Sequence, residues 1–534
     1  MAKLTGGQAL AKALYREGVR VIFGLPGVQL YHAMDGIYDE PGIRFITTRH
    51  EQATTYMADG YTRAGGGIGT ALVVPGPGLQ NASAGIGTAY SASSSILVVA
   101  GQVQKEFIGV DRGVLHEIND QMDTIRPVTK WAQRILDAKD VPEGVHEAFY
   151  QLKSGRPRPV ELEIPPETLE EEAEIEILEP VNHQRSAATK ESILEAAEIL
   201  LSASNLVIWA GGGAISSHAS GALQKLAEHL QAPVITTSEG KGILSDRHYL
   251  SLGGLQIRND PFQSKLSEAD VILAVGTRLA TPQALNGQKV VQIDIDESEI
   301  GRNYTNTFGL VGDASRTIEE LIKIIFAKIP AHRSRKSEFE ALKAQRFDPK
   351  KQIEPQASFV RAIRAAMPDD GILVAGMTQV GYYSRVSFPV YEPGTYITSS
   401  YFGNLGFAFP VALGAKVAQP DKAVVAVSGD GGFLFNSQEL ATAVQYGINA
   451  VVVVFNDNAY GNVYRDQINR FEGRDIGAKL HNPDFVKLAE AYGARGIRVD
   501  GPEQLEKVLR STLLSNDAPT LIEVPVGMMP TPFG

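Results

Sequence analysis

Short apolar runs alternate with longer segments of helical period in three stretches of this chain, 19–160, 206–311 and 371–524. Repeated βα alternation of this kind predicts an α/β protein built from three doubly wound, mostly parallel sheets with helices on their faces. Two charge-rich intervals separate the stretches. The first, 167–190, contains the acidic run Glu170-Glu171-Glu172, and the second, 327–355, is basic around residues 333–336. Both read as surface linkers whose charge serves solvation. The pattern therefore divides the chain into domains at 1–170, 190–328 and 355–534.

Composition narrows the function. A chain of 534 residues is too long for a single core. Its net charge of −11, with no basic stripe interleaved with aromatics, argues against nucleic acid as a partner. The absence of cysteine excludes disulfides, thiolate metal sites and cysteine nucleophiles. Met1-Ala2-Lys3-Leu4-Thr5 runs into an amphipathic helix without the apolar core of a signal peptide, and no apolar run could span a membrane. Cytoplasmic residence and no membrane partner are expected.

Chemistry enters at Gly429-Asp430-Gly431. A strand ending near Val427 leads into this glycine turn, and the next apolar strand, 450–455, delivers Asn456-Asp457-Asn458. Asp457 follows Asp430 by 27 positions, the length of a turn, a helix and a strand returning to the same sheet edge. Adjacent parallel strands would place both clusters at their carboxyl ends, where open α/β sheets bind ligands. Mg²⁺ takes hard oxygen ligands and commonly binds through one or two carboxylates plus phosphate oxygens. The glycines, Gly432 included, allow close approach of a diphosphate, and a helix starting near Asn436 would turn its positive end toward the anion.

On these residues the chain resembles the thiamine diphosphate enzymes of the acetolactate synthase, pyruvate oxidase and benzoylformate decarboxylase superfamily. The resemblance runs over nearly the whole chain. It implies a pyrimidine-binding domain, a central domain and a diphosphate-binding domain, the first and last sharing a fold. It implies Mg²⁺ ligation by Asp430, Asp457 and the Ala459 carbonyl; the family most often has asparagine where Asp457 stands, so Asn456 or Asn458 is an alternative ligand. Arg49-His50-Glu51-Gln52, at a strand-to-helix junction, resembles the segment of the family's catalytic glutamate. There the carboxyl group bonds the pyrimidine ring and lets the cofactor's amino group remove the thiazolium proton. Gly403 would offer its carbonyl to that amino group, and Leu405 would hold the cofactor rings in a bent V. Gly376-Met377-Thr378 would form a second diphosphate loop, with Pro26, Gly27, Tyr460 and Gly461 also on the cofactor. Val28, Gln29, Pro75, His116 and Asn462 would line the substrate pocket, His116 and Gln29 with catalytic roles. The cofactor would lie between two subunits, which makes a homodimer the smallest active unit and a homotetramer a common form.

Several positions depart from the synthase pattern. Leu279-Ala280-Thr281-Pro282 stands where a flavin and acceptor motif is expected, which puts FAD in doubt. Pro166 replaces a lysine, Asp466 a tryptophan, and Leu405 a methionine. Gly211-Gly212-Gly213-Ala214 still resembles a nucleotide-accommodating turn, and the tail 527–534 offers no basic clamp for an acyl-CoA. The expected activity is decarboxylation of a small 2-oxo acid with carboligation, acetolactate synthase-like. The alternatives are a benzoylformate decarboxylase-like or 2-hydroxyacyl-CoA lyase-like enzyme, a flavin-containing pyruvate oxidase, and a non-catalytic paralogue.

Overall fold

The computed structural model describes residues 2–255, 260–280 and 285–532. Met1, the Thr281-Pro282 half of the flavin-motif segment and the tail residues Phe533 and Gly534 lie outside them. Three six-stranded parallel sheets carry the fold. In the N-terminal domain the strands run in the spatial order Arg44–Thr47, Val21–Gly24, Gly69–Val73, Ile96–Gly101, Val160–Ile164, Trp131–Arg134. In the C-terminal domain the order is Tyr396–Thr398, Ile372–Ala375, Val424–Gly429, Val451–Asn456, Thr520–Pro525, Arg495–Arg498. Counted within each domain, both sequences of strands are the same, 2-1-3-4-6-5. The central sheet differs, running 3-2-1-4-5-6 from Ser251–Gly254 to Thr307–Val311, the order of dinucleotide-binding folds.

Inner strands such as Val451–Asn456 are buried through Phe455, as helices on both faces of a parallel sheet require. Both expected linkers contain regular structure. Within the acidic interval, Glu172–Ile175 pairs antiparallel with Ala2–Thr5, so a strand precedes the first helix, Gly6–Arg16, where the sequence suggested helix alone. The alternation Glu172-Ala173-Glu174-Ile175 buries Ala173 and Ile175 and exposes the two acids, a half-buried strand pattern that the charge count concealed. The basic interval forms the helix Lys336–Arg346, which buries Phe339. The helix after the acidic turn is Asp430–Leu434, beginning at Asp430 itself and capped by Gly429; the Asn436 start is incorrect, and the longer helix is Glu439–Tyr446.

One apolar core spans the N-terminal and C-terminal domains, with Met57, Ile86, Phe407 and Val411 in the same cluster. Its centre is the crossing of the helices Glu51–Arg63 and Ala408–Ala418. A Cβ on Gly60 would lie 2.0 Å from the Val411 carbonyl oxygen, and one on Gly414 would lie 1.9 Å from that of Met57. The two backbones touch, so neither position has room for a side chain. Gly60→Ala should therefore destabilise the protein by about 1–3 kcal/mol through forced separation of the helices. Gly221→Ala, a helical position where the added carbon meets nothing within 4 Å beyond its chain neighbours and its own helix backbone, should be neutral or gain up to about 1 kcal/mol. Urea unfolding of the two variants checks the contrast.

Candidate active site

In the C-terminal domain the strands Ile372–Ala375 and Val424–Gly429 are adjacent and parallel, and their neighbours on either side come from opposite windings of the chain. A crevice forms outside the carboxyl ends of such strands. It holds a pocket of about 200 Å³ lined by Met377, Thr378, Gly403, Leu405, Gly429, Asp430, Gly431, Gly432, Asp457, Ala459, Tyr460, Gly461 and Asn462. Gln379, Tyr382, Phe455 and Val463 complete the wall. Gly376 does not line it; its N–H donates to the Val427 carbonyl, 2.8 Å away, and supports the loop from beneath. Asn462 is held by Gln379, whose amide donates to Asn462 Oδ1 at 2.8 Å, and by the guanidinium of Arg465.

Asp430 is only 2% exposed. Its Oδ1 accepts the Gly431 N–H at 2.8 Å, and its Oδ2 accepts the Asn482 amide at 2.6 Å. Burial raises its pKa despite these bonds. Asp457 accepts the Ala459 N–H at 3.2 Å and lies against Gly461, where a Cβ would come within 2.1 Å of its Oδ2. Its pKa is pushed up to about 6, first by burial and then by the charge of Asp430. Two repelling, half-desolvated carboxylates are the arrangement that a divalent cation relieves. Asn456 is committed elsewhere: its amide donates to Glu523 at 2.8 Å, and its oxygen accepts from Asn482 and from the Asn458 N–H. Among the described residues no group of three or more His, Cys, Asp or Glu could hold a metal. Two carboxylates leave further positions to a backbone carbonyl and to phosphate oxygens.

The N-terminal set assembles separately. Glu51 is the first residue of its helix, with His50 as N-cap accepting the Gln52 N–H at 3.1 Å. The Asn81 amide donates to Glu51 Oε2 at 3.1 Å. Gln29 Oε1 and His116 Nδ1 are 3.1 Å apart, and the Gln29 amide donates to the Leu115 carbonyl. Gly76 has φ +57°, and a Cβ there would meet the His116 carbonyl oxygen at 2.2 Å, so the 75–78 turn and the His116 loop are pressed together. Gln121 fixes that turn from below, accepting the Gly76 N–H at 2.8 Å and donating to Gly101 and Glu163. Gly27 packs on Val74, following Pro26, while Val28 is 54% exposed. None of Glu51, Gln29, Pro75 or His116 lines the pocket around Asp430.

Three family models match in succession: the thiamine pyrophosphate enzyme N-terminal TPP binding domain over residues 4–124, the central domain over 193–321, and the C-terminal TPP binding domain over 375–524. The chain belongs to the thiamine pyrophosphate enzyme family. It is 34% identical to a probable acetolactate synthase large subunit of Methanocaldococcus jannaschii, over 98% of this chain and 92% of that protein. It is 32% identical to the acetolactate synthase isozyme 3 large subunit of Escherichia coli, over 96% and 93% of the two chains. A probable 2-ketoarginine decarboxylase of Pseudomonas aeruginosa is 34% identical, over 98% and 94%. The residues of this thiamine pyrophosphate enzyme fit the cofactor: glycines where a diphosphate must approach, and an acid pair short of positive charge beside them. The central domain of the enzyme keeps the Gly211 turn, but there its glycines serve packing, since Cβ atoms on Gly211 and Gly213 would strike Gly276.

Four residues that matter for the geometry went unnoticed in the sequence: Asn482, Gln121, Asn81 and Glu439. Glu439 sits on the helix Glu439–Tyr446, and its carboxylate accepts the Arg49 N–H at 3.1 and 3.2 Å, two residues before Glu51. Arg49 reaches Gln445 and the Thr47 N–H donates to the Tyr446 hydroxyl, so this helix anchors the strand-to-helix junction that carries Glu51. Burial pushes the Glu439 pKa from 4.5 up to about 7. The folded state thus holds this proton more tightly than the unfolded state, and the stability linked to it, full below pH 4.5, is lost as pH rises to about 7. Glu439→Gln should be more stable than wild type above that range, by up to about 3 kcal/mol, with the difference closing at acid pH. Denaturant titrations at pH values on both sides check the sign.

Proposed function

We propose that this enzyme uses thiamine diphosphate and Mg²⁺ to decarboxylate a small 2-oxo acid and join the product to a second carbonyl compound, as an acetolactate synthase does. The observation that carries the reading is the pairing of buried Asp430 with half-buried Asp457 at the carboxyl edge of a sheet, flanked by Gly429, Gly431, Gly432 and Gly461. The cofactor, when bound, supplies the carbon nucleophile. The chain supplies the rest. Asp430, Asp457 and the Ala459 carbonyl would hold the cation, with Asn482 orienting Asp430. Gly429 to Gly432 with Met377 and Thr378 would receive the diphosphate, Gly376 supporting that loop from beneath, and Gly403 and Leu405 would support the rings. Glu51, held by Asn81, would manage a proton at the pyrimidine. Gln29 and His116, bonded to one another, would face the substrate with Val28 and Pro75, and His116 could pass a proton during ligation or release. Because Glu51 does not line the Asp430 pocket, the complete site would join the N-terminal half of one subunit to the C-terminal half of another in a homodimer or homotetramer.

A second reading, decarboxylation without ligation, has support from Leu405 and from the likeness to a probable 2-ketoarginine decarboxylase. A panel of 2-oxo acids with product analysis decides between the two. A ligated hydroxy-oxo acid supports the synthase-like reading, and CO₂ with an aldehyde alone overturns it.

Glu51→Gln should abolish exchange of the thiazolium proton in the loaded enzyme while thiamine diphosphate still binds; exchange at the wild-type rate would remove Glu51 from its role. Subunit sharing has its own signature. Glu51→Gln and Asp430→Asn should each be inactive, yet equal mixtures refolded together should regain up to about a quarter of wild-type activity, because each mixed dimer contains one intact site. No recovery would place both halves in one chain.

A further inference from the structure

A cavity of about 850 Å³ opens between the central and C-terminal domains and shares no lining residue with the pocket around Asp430. Small-molecule sites prefer domain interfaces and volumes of this order. Its accessible apolar wall is formed by Phe347, Pro349 and Pro389, with the core residues Val360, Met367, Val386 and Phe388 buried behind the lining. Five cationic side chains line it against two carboxylates, Asp246 and Asp369. Three of the cations have acid partners: Arg247 with Asp369 at 2.5 and 2.9 Å, Arg361 with Glu354 at 2.9 Å, and Lys241, only 2% exposed, with Asp246 at 3.8 Å.

The other two direct their N–H groups at neutral carbonyls. Lys343 donates to Asp246 O at 2.9 Å and His248 O at 2.8 Å. Arg364 donates to the carbonyls of Met367 and Pro368 while its guanidinium lies 5.1 Å from the Phe388 ring and 5.0 Å from that of Tyr391. Carbonyl dipoles orient a cation but leave its full charge in place, and partial burial lowers the pKa of both groups by withholding water from them. Among the described residues no acid forms an ion pair with either cation; the more distant carboxylates of Asp246 and Glu340 act on Lys343, and that of Asp369 on Arg364. Positive charge left without a directly paired acid beside an apolar wall is complementary to an anion with an apolar body.

We propose that this cavity is a second ligand site, for an amphipathic anion whose tail lies on Phe347, Pro349 and Pro389. The head group, a carboxylate or phosphate monoester, is held by the Arg364 guanidinium within the field of Lys343. Lys343 belongs to a helix whose Phe339 packs in the central core, and Arg364 to the helix Gln356–Ala366 of the C-terminal domain. Occupancy therefore ties the two domains together. This site is independent of the active-site reading.

Calorimetric titration of the enzyme loaded with thiamine diphosphate and Mg²⁺, using decanoate, decyl phosphate and uncharged decanol, tests it. At least one anion should bind about tenfold or more tightly than decanol. Arg364→Met should lower that affinity about tenfold or more, and Ala365→Trp, which fills the cavity from an exposed lining position, should abolish it without removing either cation. Thiamine diphosphate affinity should be unchanged in both variants. Binding of decanoate alone identifies a carboxylate head, and binding of decyl phosphate alone a phosphate head. Anions binding no better than decanol, or binding that survives Ala365→Trp, overturn the proposal; that second variant decides the matter if Arg364→Met fails to fold.

Discussion

Backbone contact between the helices Glu51–Arg63 and Ala408–Ala418 sets how the segment that carries Glu51 and the pocket around Asp430 are placed within one chain. Gly60 meets a carbonyl of one helix and Gly414 a carbonyl of the other, so the helices lie as close as main chains allow. A crossing cushioned by flexible side chains could slide; this one has little to compress. Glu51 begins the first helix, and Gly403 and Leu405 lie just before the second. The junction that carries Glu51 and the pocket around Asp430 are thereby held as parts of one body, reinforced where Glu439 grips the Arg49 N–H.

Features that depend on local order along the chain were legible in the sequence. The strand, glycine turn and acid at 424–431 announce themselves within eight residues, and the 27-residue return to Asp457 follows from parallel pairing of adjacent strands. Sheet class and the division into three βα stretches were equally visible, because periodicity records burial directly. Asn482 was invisible for the opposite reason. Asparagine before proline reads as a turn, and its bond to Asp430 joins residues 52 apart that only the folded sheet brings together. Gln121 and Glu439 are of the same kind, polar side chains whose meaning lies in a backbone N–H from a distant loop. In the two intervals first read as linkers, the evident charge drew attention from a weaker apolar period at Ala173 and Ile175 and at Phe339.

Asp457 introduces an electrostatic cost that an asparagine would not. Without a cation its carboxyl shares a poorly hydrated pocket with Asp430, and its pKa near 6 expresses that conflict. The Asn482 amide places an N–H group beside Asp430, Asn456 and Asn458 oxygens at 2.6, 3.0 and 3.4 Å. It offsets part of the negative potential by hydrogen bonding, but an amide carries no net charge, so the repulsion between the two carboxylates remains.

The outer sheets share one strand order, so each offers a crevice at the same point of its topology. The linings differ. Acids and glycines surround the C-terminal crevice, whereas a glutamate, a glutamine and a histidine lie around the N-terminal one. One scaffold thus carries two chemically distinct crevices, and the polarity of each is set by its loops and not by its sheet.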